Sequence, residues 1–141
     1  MAKIVEKTQS IFNIFTTSTG ALIGFLFGNW GTPLKILLTL VILDYLSGLI
    51  ASGIEGKLSS RIGFKGIFKK IMIFVIIAVA HLIDIAIGEG SMVMTAAIFF
   101  YMANEILSIV ENAGRSGLFV PGFIKQAVEI LKGRGENGKD I

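Results

Sequence analysis

No cysteine occurs in the 141 residues, and histidine occurs once, as His81. The first absence excludes disulfide scaffolds, thiolate zinc sites and cysteine nucleophiles, and the second excludes sites built from several histidines. A single histidine with no serine or cysteine nucleophile beside it also makes no catalytic triad. The chain is therefore expected not to be an enzyme, and neither a metal nor a cofactor is expected. Charge is scarce as well, since Asp, Glu, Lys and Arg make up 16% of the residues where soluble domains carry about 25%. Hydrophobic side chains make up 53%, and the mean hydropathy is +0.78. A water-exposed fold could not cover its surface with so little charge, so the sequence reads as an all-α integral membrane protein. A pI of about 9.3 suggests nucleic acid, but the net charge is only +3 and the basic residues flank apolar runs. Orientation in a bilayer accounts for them, and no nucleic-acid partner is expected.

Crossing about 30 Å of hydrocarbon takes about 20 helical residues. Four stretches qualify, at about 11–30, 34–54, 71–88 and 91–109. Asn13, Thr16, Thr17, Ser18 and Thr19 dilute the first half of span one. If that half lies in the interface instead, three spans remain and the N-terminus moves to the other side. Gly88-Glu89-Gly90 leaves only a short turn between spans three and four, which predicts a tight helical hairpin. Twelve of the thirteen basic residues fall on one side of the four-span arrangement and Lys35 alone on the other. The positive-inside rule then places both termini in the cytoplasm. Lys3 and Lys7 ahead of an apolar stretch resemble a secretory signal, but no small-residue cleavage site follows and a retained anchor is expected.

After span four, Gly114 to Gly117 breaks the helix and Pro121 suits the first turn of another. Phe123, Ile124, Ala127, Ile130 and Leu131 share one face, opposite Lys125, Glu129 and Lys132. That pattern predicts a short amphipathic helix at about 121–132, packed on the membrane or on the bundle. The polar tail, 133–141, is predicted to be disordered, and residues 1–141 form a single membrane domain. Within the tail, Gly133, Gly135 and Gly138 match a dinucleotide fingerprint but have no helix to open. Gly53 to Lys57 imitates a phosphate loop only superficially, because Leu58 stands where Ser or Thr should follow the lysine.

Gly20, Gly24 and Gly28 form a tandem GxxxG, which clears a groove along span one for close helix approach. Asp44, Ser47, Gly48 and Ala51 fall on one face of span two, so an acid shares a face with three small residues. Span three offers His81 and Asp84 at i, i+3, close enough to hydrogen-bond each other. Span four places Tyr101, Asn104, Ser108 and Glu111 in a stripe, with Glu105 and Asn112 on its edge. No Lys or Arg falls inside any predicted span, so ion pairs are expected only with His81 or at span ends. Three unpaired charged acids would cost on the order of 8 to 10 kcal/mol. The acids should therefore be protonated, paired across helices, facing water or at an interface between subunits, and a homo-oligomer in lipid is expected over a sealed monomeric bundle.

Asp44-Tyr-Leu-Ser-Gly48, the basic segment Lys57 to Lys70, Asn104-Glu-Ile-Leu-Ser-Ile-Val-Glu-Asn112 and Val120-Pro121 together resemble the toxin-secretion and phage-lysis holin family. The likeness covers about 33–131. It implies a small phage-encoded protein of the bacterial cytoplasmic membrane that accumulates, self-associates and opens lesions. Through them an endolysin or a large toxin leaves, without necessary direct contact, and the host lyses. On that implication Asp44, His81, Asp84, Asn104, Glu105, Ser108, Glu111 and Asn112 are candidates to line the lesion. Gly20, Gly24, Gly28, Ser47, Gly48 and Ala51 are candidates to hold helices together. The residues alone leave two alternatives open, a small proton-coupled transporter and an antiholin or membrane adaptor.

Overall fold

The computed structural model describes residues 1–88 and 90–137. Glu89 of the predicted turn and residues 138–141 of the predicted tail lie outside the described residues. The elements are α1 (Ala2–Phe27), α2 (Thr32–Ile54), α3 (Ser60–Ile87), α4 (Met92–Arg115) and α5 (Gly122–Asn137), with no strand among the described residues. Helices α1 to α4 are each long and apolar enough to cross a membrane. The architecture is thus the expected one, an all-α membrane protein with four candidate spans and a C-terminal helix.

The chain divides into two compact units, residues 1–30 and 31–141. The first is α1 and its exit. None of the 26 residues of α1 is buried. The helix runs unbroken through the polar residues that dilute the first half of span one, and Thr16 among them, like Thr8 ahead of them, returns its hydroxyl to the helix. Thr8 Oγ1 donates to the Ile4 carbonyl at 2.8 Å and Thr16 Oγ1 to the Phe12 carbonyl at 3.0 Å. Such back-bonding satisfies a hydroxyl where water is absent. The helix ends earlier than the predicted 30: Gly28 takes φ 61°, and its N–H reaches the Gly24 carbonyl at 2.8 Å. Gly28 is therefore the residue that ends α1.

In the second unit α4 is the central helix, packed against α2, α3 and α5, while α2 and α3 meet each other far less. The core is built at helical spacing from Leu34, Leu37 and Val41 of α2, Ile73, Ile77 and Ala80 of α3, and Met94, Ile98 and Met102 of α4. Gly31 and Pro33 open α2. Ser59 caps α3, its Oγ accepting from the Ile62 N–H at 3.3 Å, and Gly88 closes that helix at φ 77°.

Further boundaries depart from the sequence reading, since α1 starts at Ala2 and not near 11, and α4 continues past 109 to Arg115. Helix α3 begins at Ser60, not near 71, because charged side chains end an apolar run without ending a helix. Helix α5 continues to Asn137, so residues 133–137 of the predicted disordered tail are helical. It packs on the bundle and runs back along α4, with the Arg134 guanidinium 5.8 Å from the Phe99 ring centroid. Of the predicted apolar face, Ile124 is half-buried while Phe123, Ala127 and Ile130 are exposed.

Candidate functional site

The early start of α3 brings Lys70 inside the helix. Asp44, Lys70 and Glu105 each stand ten residues from the same end of the bundle, counted from Ile54, Ser60 and Arg115. At that shared level Lys70 Nζ donates to Asp44 Oδ2 and to Glu105 Oε2. The side chains are 19%, 7% and 6% exposed respectively. Lys70 stands at the predicted end of span three, where the sequence reading still allows ion pairs, and one ammonium there serves two acids from two other helices. With all three ionised the cluster keeps one net negative charge.

Helices α2 and α3 approach closely enough for this because glycines face Tyr45. A Cβ at Gly63 would lie 3.4 Å from the Tyr45 hydroxyl, and one at Gly66 3.4 Å from the Tyr45 ring. On the α4 side, Asn112 Nδ2 donates to Asp44 Oδ1 and to Ser47 Oγ, both at 3.0 Å. Asn112 Oδ1 accepts from Arg115 Nη1 at 3.1 Å. Arg115 also grips Glu55 through two bonds of 2.9 and 3.0 Å. Outside the bilayer span, that Arg115 hydrogen bond holds the Glu55 carboxyl below its ordinary value. Gly48 leaves room for the asparagine, whose Nδ2 is 3.5 Å from where a Cβ would stand. A polar network thus runs from Glu55 through Asn112 to Lys70. Beside it lies a groove of about 470 Å³ lined in part by Tyr101, Asn104, Ser108 and Ile76.

A model of the bacteriophage holin family matches residues 21–133. The chain belongs to the bacteriophage holin family. An uncharacterized protein of Halalkalibacterium halodurans is 49% identical over 118 residues, covering 80% of this chain and 87% of the relative. An uncharacterized protein of Listeria monocytogenes is 46% identical over 121 residues, covering 86% and 85%. An uncharacterized 14.9 kDa protein in the nagH 3' region of Clostridium perfringens is 39% identical over 118 residues, covering 83% and 89%. No solved structure matches.

The other sequence-predicted residues of this holin-family chain fall in three places. Asp44, Ser47, Gly48, Asn104, Glu105, Ser108 and Asn112 gather at the network or its groove, with Ala51 fully buried on the same face of α2. Glu105 and Asn112 are buried, and Glu111 is exposed. The inner face of α4 is thus centred on Met94, Ile98, Met102 and Glu105, and the predicted stripe borders it. His81 and Asp84 lie toward the other end of the bundle and are not hydrogen-bonded to each other. Asp84 is 1% exposed and accepts from the Val93 and Met94 backbone N–H groups, both at 2.8 Å. It caps α4 from across the hairpin, while His81 Nδ1 is buried with no hydrogen-bond partner among the described residues. Gly20 and Gly24 on α1 are open, with nothing within 4 Å of a built Cβ. Sequence reasoning missed Lys70, Tyr45, Arg115 and Glu55. Helical spacing Gly63, Gly66, Lys70, Ile73, continuous with the apolar stripe of α3, was the signal that could have found the lysine.

Proposed function

We propose that this protein is a working holin: it accumulates in the bacterial cytoplasmic membrane with both termini inside, self-associates, and opens lesions through which an endolysin or a large toxin passes. It does so without catalysis. Membership of the family supports this reading, and the observation that carries the mechanism is the lysine shared by two acids between three apolar helices. In a closed subunit Lys70 offsets most of the cost of burying Asp44 and Glu105, and the residual negative charge keeps the closed packing only marginally favourable. A second subunit approaching along the open Gly20 and Gly24 face of α1 gives a route to oligomers. When α2, α3 and α4 separate, Asp44, Asn104, Glu105, Ser108 and Asn112 exchange one another for water. A charge moving across the membrane field gains about 2.3 kcal/mol per 100 mV, which is enough to bias the change.

The test is inducible expression in a bacterium with and without a cytoplasmic endolysin. The expected result is abrupt collapse of the membrane potential in both cultures and loss of turbidity only where endolysin is present. A membrane-accumulated protein that leaves the potential intact would overturn the proposal in favour of an antiholin or adaptor. Solute-dependent proton flux without lesions would favour a transporter.

A further inference from the structure

We infer that the first third of α3 is a docking face for anionic phospholipid headgroups. At 1.5 Å per residue the 28 residues of α3 reach about 42 Å, some 12 Å beyond the hydrocarbon thickness. The surplus falls at the N-terminal end, because the exposed Arg61, Lys65 and Lys69 lie in its first ten residues and no Lys or Arg of α3 follows Lys70. Positions 61, 64, 65, 68 and 69 follow i, i+3, i+4, i+7 and i+8 spacing and share one face. All five are exposed, Phe64 by 63% and Phe68 by 66%, whereas Gly63, Gly66 and Lys70 on the opposite face turn inward to Tyr45 and the two acids. Among the described residues Arg61, Lys65 and Lys69 form no ion pair, although Lys57 is 3.7 Å from Glu55 and Lys70 is clamped.

Orientation by the positive-inside rule needs only a count of charges on one side. It does not call for three cations interleaved with two exposed phenylalanines along a single face. That arrangement suits a leaflet boundary, where basic stems reach headgroup phosphates and the aromatic rings enter the acyl region. A folded acidic protein or a nucleic acid would leave the phenylalanines without an apolar medium at this depth. The inference rests on membrane insertion and not on lysis, so the two readings fail separately.

The test uses the full chain reconstituted in phosphatidylcholine bilayers containing phosphatidylglycerol. Phe64→Trp combined with Trp30→Phe places the single tryptophan on the face, after circular dichroism has shown the variant to be helical. Brominated phosphatidylglycerol should quench it with about fivefold or greater preference over brominated phosphatidylcholine, a preference that salt weakens. Changing Arg61, Lys65 and Lys69 together to Gln should abolish the preference while the helix content stays the same. Equal quenching by the two lipids would overturn the assignment, and so would a preference that survives the triple substitution. Millimolar inorganic phosphate should leave the preference intact, and loss of it would mean a free-anion site and not a lipid face.

Discussion

The two ends of the α2–α4 bundle handle buried acids in opposite ways. At the end nearest the α3–α4 turn, Asp84 is satisfied by two backbone N–H groups of α4, and Leu34 and Met94, near the starts of α2 and α4, are apolar and buried. Those donors are orphans of a helix start, so the acid completes secondary structure and has nothing to exchange. At the other end, Asp44 and Glu105 share one flexible lysine and Asp44 also accepts from Asn112, with a groove alongside lined in part by Asn104 and Ser108. Every partner there is a side chain from another helix, so the bonds exist only while the helices stay together. The comparison separates an acid that builds a helix start from two acids held by side chains of other helices, which on the proposed function are the ones released on opening.

The largest effect that would sharpen this division is expected from Lys70→Met. Removing one partner of a buried charged cluster costs about 3–5 kcal/mol. Unfolding of the purified protein in detergent should show that loss, and adding Asp44→Asn and Glu105→Gln to the same chain should recover most of it. Persistence of the defect in the triple variant would mean that Lys70 matters through packing alone. Next in size is Asp84→Ala, which leaves two N–H groups without acceptors and should cost roughly 2–3 kcal/mol. Its lysis timing, at matched membrane abundance, should stay close to that of the parent. A timing shift as large as that of a Glu105 variant would erase the distinction between the two ends.

Gly48→Leu should cost about 1–3 kcal/mol by displacing Asn112, whereas Gly48→Ala should be tolerated, because its Cβ makes ordinary contact at 3.5 Å. Equal stability of the leucine variant would remove Asn112 from the network. The smallest effect belongs to the solvent-facing Glu55 and Arg115 pair. The Glu55 carboxyl sits below its ordinary value of 4.5 because of its hydrogen bond to Arg115. A depressed acid adds stability that is present above the ordinary value and is lost as pH falls through the lowered one. Stability should therefore decline slightly more steeply on acidification below about pH 4.5 in the parent than in Glu55→Gln. Identical slopes would mean that the pair adds nothing measurable.

The spans were legible because hydropathy is a local property: α2 and α4 begin within two residues of their predicted starts at 34 and 91. Pairing was not legible. Lys70 reads as the last residue of a basic linker when apolar runs are cut at the first charge, yet the helix passes through it and the glycines at 63 and 66 let it reach α2. Asp84 and His81 satisfied a spacing rule, but α4 begins close enough for its backbone to take the carboxylate first. Gly28 satisfied a motif and turned out to end the helix, as its positive φ requires. The missing information was tertiary in each case, since it concerned which donor arrives from another helix.

The most direct test of the clamp is the onset of lysis for Glu105→Gln and Lys70→Gln, each with endolysin present and matched to the parent in membrane abundance. Neutralising Glu105 takes the buried cluster from one net negative charge to none, so the closed assembly should persist and lysis should come late. Neutralising Lys70 takes it to two negative charges, so closure should weaken and lysis should come early. Opposite shifts are the predicted result. Onsets that move in the same direction, or that do not move from the parent time, would contradict a lysine clamp that holds the bundle closed.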